Sequence, residues 1–157
     1  MNDSQSGLID AARSVVGDMK LGKEFSAGGV GAAIRTVQGN VYTGICIDLG
    51  SGLGFCAEVA AIAQMLTRHE TQIDTVVAVT RDRILPPCGR CRETMVQIDV
   101  RNLDCKVIIE QGREVSLRDL IPNHWLTQDW GTEQNTLRSS RRSGSGRVIP
   151  ESRPNHC

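Results

Sequence analysis

The 157-residue sequence contains few aromatic side chains and no excess of either charge. Phe, Trp and Tyr together make up 3% of the residues, and 18 basic side chains balance 18 acidic ones. Proteins that bind nucleic acid present basic surfaces, and those that bind single strands add aromatic rings on which bases stack. The composition therefore argues against a nucleic acid as the partner.

A long apolar segment is also lacking. The apolar runs are far shorter than the roughly 20 residues that a membrane-spanning helix needs. Residues 1–7 are polar, without the apolar core of a signal peptide. We therefore predict no membrane partner and a cytoplasmic location. In that compartment the six cysteines are more typical of metal ligands, catalytic groups or core thiols than of disulfides.

The residues that are present fit one domain with a tail. A chain of this length, with 39% hydrophobic residues, can bury a complete core. The composition changes from residue 131, and residues 138–154 hold five arginines and five serines with few apolar side chains. We predict one domain over 1–130 and a flexible Arg/Ser/Gly-rich tail over 131–157. For the tail arginines we favour solvation over contacts with phosphates or a neighbouring subunit.

The order of the predicted elements indicates an α/β fold. Hydrophobic periodicity, glycine-rich turns and β-branched runs define the boundaries. Helices alternate with strands, which predicts a layered domain with a mixed sheet. The predicted helices are 8–19, 56–66, 88–98 and 117–120, and the predicted strands are 30–34, 41–47, 75–80, 106–109 and 113–116.

Two cysteine motifs carry the chemistry. Cys56 opens the predicted second helix, and Cys88 and Cys91 form a Cys-x-x-Cys pair at the start of the third. Helix N-termini favour thiolates, because the free backbone N–H groups and the helix dipole stabilise negative charge there. Zinc binds four ligands in a tetrahedron, and in a catalytic site water occupies one of the four positions. Three cysteines therefore predict a zinc site with an open position.

Glu58 lies two residues after Cys56, where its carboxylate can face the metal without binding it. A carboxylate in this place can take a proton from water and pass it on. A structural zinc site or a redox pair is the alternative. Cys46 would then be the fourth ligand and Glu58 would have no role, so we favour the catalytic interpretation.

Several further segments accompany these motifs: 25–26, 30–33 and 42–44, the stretch 83–92, and 117–122 followed by Trp125. Over about residues 25–125 the chain resembles the zinc-dependent cytidine deaminases of the three-cysteine type. The stretches 83–92 and 117–122 look especially like blasticidin S deaminase. The resemblance implies a three-layer α/β/α fold with a central mixed five-stranded sheet, a Zn²⁺ cofactor, and a homo-oligomer, either tetramer or dimer.

The resemblance also implies a reaction and the residues that perform it. Water would replace the amine of a small-molecule, cytosine-type nucleoside, giving the uracil-type product and ammonia. Glu58 would protonate the ring nitrogen. The Ala57 backbone N–H would hold the ring carbonyl, and the Pro86 carbonyl would contact the amine.

Some positions depart from the family pattern. The Asn and Glu with which nucleoside deaminases bind ribose hydroxyls match Cys46 and Asp48, and their base-stacking aromatic residue matches Gly28. We place Cys46 and Asp48 among the substrate-binding candidates. Packing of Cys46 as a small buried side chain and a turn-forming role for Asp48 are the alternatives.

The charge of three thiolates on one zinc requires a nearby cation. The arginine that often follows the catalytic glutamate in the family is Val59 here, so Arg90 and Arg92 are the candidates for neutralising the thiolates.

Cytidine, deoxycytidine and a blasticidin S-like aminoacylnucleoside remain open as substrates. The alternatives are a deaminase of another amino-heterocycle or nucleic-acid base, and a non-enzymatic zinc-binding protein.

Overall fold

A computed structural model describes residues 3–127 of the chain. Within them no helix is long and apolar enough to cross a membrane. The predicted tail over 131–157 lies outside the described residues, so the division into a domain and a flexible tail stays a prediction.

The described residues form four α-helices and seven strands. The helices are α1 (Asp3–Ser14), α2 (Ala57–Thr67), α3 (Gly89–Ile98) and α4 (Leu117–Leu120). The strands are β1 (Met19–Lys20), β2 (Phe25–Thr36), β3 (Val41–Leu49), β4 (Ile73–Val79), β5 (Ile84–Leu85), β6 (Lys106–Glu110) and β7 (Arg113–Ser116). Short 3₁₀ helices cover Val100–Asp104 and Trp125–Thr127.

All seven strands belong to one mixed sheet. Its five longer strands run in the order β3-β2-β4-β6-β7, since β3 and β4 pair with the same part of β2 from opposite sides. β4 and β6 are parallel, and the other neighbours are antiparallel. The two-residue strands β1 and β5 add to the edges of β2 and β4. The predicted α/β class with a mixed sheet is confirmed, and the sheet has two short strands beyond the predicted five.

Helices cover both faces of this sheet and so complete three layers. α1 buries Leu8, Ile9 and Ala12 against Val77 and Val79 of β4. On the opposite face α2 and α3 share a larger core. Val76 of β4 belongs to the larger core and its neighbour Val77 to the α1 core, as the pleat of a strand requires. The buried residues of α2 and α3 in that larger core are Ala61, Ile62, Met65, Met95 and Val96.

The predicted first helix is wrong at both ends. It was expected over 8–19, whereas α1 spans Asp3–Ser14 and Met19 lies in β1. The Gly17 backbone N–H donates to the Gly28 carbonyl at 2.9 Å, so the chain after α1 joins the edge of β2. Apolar spacing beyond residue 14 therefore reflects this edge and not a continuing helix.

The approach of β3 to α2 depends on Gly44. A Cβ atom at this position would lie 2.5 Å from the Ala57 carbonyl oxygen and would also collide with the Ala61 backbone nitrogen. We expect Gly44→Ala to lower the free energy of unfolding by about 1–3 kcal/mol, because the backbone of α2 would have to move. Chemical denaturation measures this loss.

Gly7 provides the opposite control for this substitution. It is exposed within α1, and a Cβ there would meet nothing within 4 Å. Gly7→Ala should raise stability by roughly 0.5–1 kcal/mol, because alanine favours the helix. Equal effects of the two substitutions would contradict the close packing of α2 on β3.

Candidate metal centre and active site

The three predicted cysteine ligands meet where two helices begin. Cys56 is the N-cap of α2 and Cys88 is the N-cap of α3, both with extended backbone and neither with a capping side-chain hydrogen bond. Cys91 follows in the first turn of α3 and is fully buried. The Cys56 and Cys88 sulfurs lie 3.5 Å apart, and those of Cys88 and Cys91 lie 3.6 Å apart. All three sulfurs lie within 4.8 Å of one another.

This cluster fits zinc. With Zn–S bonds of about 2.3 Å in a tetrahedron, neighbouring sulfurs are separated by roughly 3.8 Å. The two measured separations are close to this value. Among the described residues this is the one group of three or more Cys, His or carboxylate side chains with metal-binding spacing. The remaining tetrahedral position has no protein ligand in this group, as a catalytic zinc site requires.

The surroundings of the sulfurs affect their thiol pKa values differently. Burial, then the charge of Glu58, raises the pKa of Cys91 far above its usual range, and burial is also the main cause that raises the pKa of Cys56. Burial alone would also raise the pKa of Cys88. Hydrogen bonds from the Cys91 backbone and from the side chains of the other two cysteines outweigh burial, so that the pKa of Cys88 is lowered. Binding of a metal by all three thiolates therefore has to displace protons.

The two candidate arginines make different contacts. The Arg90 guanidinium donates to the Gly54 carbonyl at 3.3 Å and to the Cys56 sulfur at 3.6 Å. The hydrogen bond to Cys56 raises the pKa of Arg90, which stays protonated beside the cluster. Arg92 instead donates to the carbonyls of Pro87 and Leu120, at 2.7 and 2.9 Å. Of the two, Arg90 is the one with a hydrogen bond to a ligand sulfur.

Glu58 faces a small cavity beside the sulfurs. Its side chain is only 5% exposed, in the first turn of α2. It is close enough to Cys91 for its charge to act on that thiol. The cavity has a volume of about 150 Å³. Its walls include six of the predicted site residues, namely Cys46, Cys56, Ala57, Glu58, Pro86 and Cys88.

The predicted substrate-binding residues are not all in this cavity. Cys46 lies on its wall, and its sulfur accepts a hydrogen bond from the Val30 backbone N–H at 3.3 Å. Asp48 lies two residues further along β3, hence on the same face of the strand, but it is exposed and is not among the cavity walls. Ala57 is fully buried and Pro86 is exposed, so Ala57 forms part of the inner wall of the cavity and Pro86 lies on the wall nearer to solvent.

Sequence reasoning did not identify three apolar walls of the cavity, Val30, Ala78 and Leu85. They come from β2, β4 and β5, which the sheet brings together. Alternating burial along these strands predicts which residues are inside but not that a ligand lies against them. Val30 and Leu85 lie within the segments 30–33 and 83–92 that carry the resemblance, but the resemblance assigned them no role in the site.

The backbone at Gly28 leaves no room for a side chain. Its φ is +81°, in the left-handed region, and a Cβ atom there would collide with the Gly17 carbonyl oxygen. The same two residues are joined by the Gly17 N–H to Gly28 carbonyl hydrogen bond. An aromatic side chain is therefore excluded at the position that the resemblance assigns to base stacking.

A three-layer α/β/α fold with a thiol cluster at paired helix N-termini and a buried glutamate beside it defines a metal-dependent hydrolytic enzyme. A family profile described as the cytidine and deoxycytidylate deaminase zinc-binding region matches residues 8–107. The chain belongs to this family. It is a zinc-dependent aminohydrolase, and Zn²⁺ is its cofactor.

Individual relatives agree with the family. Blasticidin-S deaminase of Bacillus cereus is 33% identical over 106 residues, which cover 59% of this chain and 74% of that protein. Cytidine deaminase of Halalkalibacterium halodurans is 35% identical over 107 residues, covering 64% of this chain and 79% of that protein. The crystal structure of cytidine deaminase from Mycobacterium tuberculosis superposes with a TM-score of 0.65 at 27% identity, covering 77% of this chain and 96% of that chain.

Proposed function

We propose that this protein hydrolytically deaminates a cytosine-type nucleoside, such as cytidine, deoxycytidine or a blasticidin S-like aminoacylnucleoside. The observation that carries the proposal is a buried glutamate beside three clustered sulfurs, in a cavity whose walls include the glutamate and two of the three cysteines. Water adds to the amine-bearing ring carbon, the carbon–nitrogen bond breaks, and ammonia and the oxo product are released.

The residues of the chain have separate roles in this proposal. Cys56, Cys88 and Cys91 hold zinc, which when bound acts as a Lewis acid and lowers the pKa of its water towards ~7. Glu58 accepts a proton from the attacking water and donates it to the ring nitrogen, and the second proton of that water passes through Glu58 to the amine, which leaves as ammonia. Burial of Glu58 keeps this proton exchange away from bulk water.

Backbone groups orient the ring. The Ala57 N–H is at the start of α2, where such groups lack helical partners and can donate to a ring carbonyl. In this proposal the carbonyl of Pro86, a residue of the cavity wall, accepts a hydrogen bond from the amine. A backbone acceptor at this point distinguishes an amine, which donates, from an oxo group, which does not.

The size of the cavity bears on the substrate class. A volume of about 150 Å³ is small for a drug-sized ligand, for which pockets are typically ~300–1,000 Å³. The amino-heterocycle therefore enters the cavity and its substituent remains outside, near Cys46 and Asp48. No aromatic ring at Gly28 stacks on the heterocycle, and Cys46 offers the substituent no strong hydrogen-bonding group, which favours tolerance of non-standard groups.

Ammonia release tests the proposal directly. Zinc-loaded protein is assayed with cytidine, deoxycytidine, free cytosine, adenosine and blasticidin S, and the ultraviolet spectrum reports the oxo product. Turnover of a cytosine-type nucleoside supports the proposal. Turnover of blasticidin S alone narrows it to aminoacylnucleosides. Zinc-loaded, folded protein that releases no ammonia from any cytosine compound overturns it.

Arg90 supplies the charge that three thiolates require. We expect Arg90→Gln to weaken zinc retention about 10-fold, because removal of a group that supports metal ligands typically has effects of this order. Arg90→Lys should retain most of the affinity, since its ammonium preserves the charge. Competition with a chromophoric chelator measures both. Unchanged retention in Arg90→Gln would assign the neutralising charge to another group.

Homo-oligomeric assembly and a cytoplasmic location complete the proposal. β1 and the residues around it expose the large apolar side chains of Met19, Leu21 and Phe25, which a subunit contact would cover. A zinc–thiolate site needs reduced cysteines, and the cytosol keeps thiols reduced. Light scattering coupled to gel filtration distinguishes a monomer from a dimer or tetramer.

A further inference from the structure

Arg92 connects the metal-binding loop with the C-terminal part of the described fold. It is half-buried in the first turn of α3, directly after Cys91. Its Nε donates to the Pro87 carbonyl at 2.7 Å, and its Nη1 donates to the Leu120 carbonyl at 2.9 Å. Pro87 immediately precedes the ligand Cys88, and Leu120 is the last residue of α4.

The loop before α3 has few other means of being held. Pro86 and Pro87 have no backbone N–H, so the two peptide groups that end at their nitrogens can be anchored only through carbonyls. Cys88 provides no side-chain hydrogen bond that caps α3. The Pro87 carbonyl and the Cys88 nitrogen share one planar peptide, so a donor that fixes this carbonyl also restrains the backbone on which the Cys88 sulfur is carried.

The same turn of α3 makes a second connection to the C-terminal segment. The Glu93 carboxylate, next in sequence to Arg92, accepts from the Trp125 backbone N–H, with oxygens at 3.1 and 3.3 Å. Consecutive residues of the ligand-bearing helix therefore hold both the end of α4 and the start of the following 3₁₀ helix. The metal-binding turn and residues 117–125 are joined by side chains, not only through the sheet.

We propose that Arg92 is a positioning residue that sets the geometry of Cys88 by bridging the Pro87 and Leu120 carbonyls. This assigns it a different role from the thiolate neutralisation expected from the sequence. The planar guanidinium offers several N–H groups in a fixed arrangement, which suits two carbonyls at once, whereas a lysine ammonium is a compact charge on a flexible stem. The proposal rests on the three-cysteine zinc site and not on the identity of the substrate.

The test compares Arg92→Lys and Arg92→Gln with the control Arg118→Gln. Arg118 lies on α4 in an exposed ion pair with Asp104, so its loss removes a guanidinium from the same region without touching the metal loop. Zinc retention is measured by competition with a chromophoric chelator, and the visible spectrum of the cobalt-substituted protein reports the geometry of the thiolate ligands. The midpoints of chemical unfolding of the zinc-free proteins are measured in parallel.

We expect both Arg92 variants to lose metal affinity by about 10- to 100-fold, with altered cobalt spectra, while Arg118→Gln behaves as wild type. Arg92→Lys is decisive, because it keeps the charge and removes the bridge. A lysine variant with wild-type zinc retention and spectrum would overturn the proposal, and so would wild-type behaviour of Arg92→Gln.

Chemical rescue distinguishes the bridge from the charge in another way. In Arg92→Ala, added ethylguanidinium should restore zinc retention, and ethylammonium at the same concentration should not. Equal rescue by the two cations would contradict positioning. Since these measurements use no substrate, they can succeed even if no cytosine compound is deaminated, and the failure of either proposal is recognised separately.

Discussion

Glu58→Gln is expected to lower kcat by about 10²- to 10⁴-fold while zinc remains bound, because the amide retains the shape of the side chain and cannot exchange the proton. Glu58 is 5% exposed and lies on the cavity wall beside the sulfurs, so bulk water cannot readily take over the transfer. Steady-state ammonia release and metal analysis of the same preparation measure the two quantities.

A matched control for this substitution is Glu110→Gln. Glu110 is exposed at the end of β6, pairs with Arg113 at 3.8 Å, and is not among the residues that line the cavity. Its activity should equal that of wild type. If Glu58→Gln kept full turnover of a cytosine nucleoside, the proton transfer would belong to another group. If the wild-type protein itself showed no turnover, a non-enzymatic zinc-binding role would be favoured.

Loss of a sulfur should have the second large effect. Cys91→Ser is expected to lower zinc affinity by roughly 10²-fold or more, since the binding free energy of zinc at cysteine-rich sites, about 10–16 kcal/mol, is divided among its ligands. Activity without added zinc should fall in parallel. Metal content after dialysis against a chelator provides the measurement.

Cys105→Ala is the control thiol. Burial, with smaller effects of Asp74 and Asp104, raises the pKa of Cys105 to about 12, so this side chain stays a protonated part of the core. Its removal should reduce stability and leave the zinc content unchanged. A similar loss of zinc in both variants would mean that core packing, and not ligation, controls metal binding.

Local sequence was sufficient to predict the elements that carry the ligands. The helices expected over 56–66 and 88–98 agree with α2 and α3 within one residue at each end. Each is an apolar or mixed run without a breaker, and in α3 the preceding Pro87 marks the start. The thiols meet because both helices pack on the same face of the sheet, a placement that the alternation of helices and strands does not specify.

Long-range contacts explain what local sequence could not predict. The strand predicted over 30–34 is too short, because β2 already begins at Phe25 and runs through the glycine-rich residues 27–31. Glycine is required at position 31 because β2 passes close to α1, where a Cβ atom would collide with the Ala12 carbonyl oxygen. Asn102, fully buried, bonds to Ile73, Thr71 and Met95 and thereby holds the 3₁₀ helix that no periodicity indicated.

At the site, too, a contact between residues far apart in sequence could not be predicted. Arg92 was recognisable as a cation beside the thiols, but its acceptor Leu120 is 28 residues away. Which carbonyl a guanidinium reaches depends on how α4 folds back beside α3. Composition and spacing contain no information about that contact.

The Gly17–Gly28 contact limits how this enzyme can be redesigned. A ring introduced at position 28 would require the left-handed backbone to change and the carbonyl of residue 17 to withdraw at the same time. Saturation mutagenesis of one codon should therefore yield no folded aromatic variant, whereas a library that varies both segments together could. Gly17 and Gly28 therefore have to be changed together. Laboratory evolution of stronger stacking on the base would require substitutions in both segments in the same step.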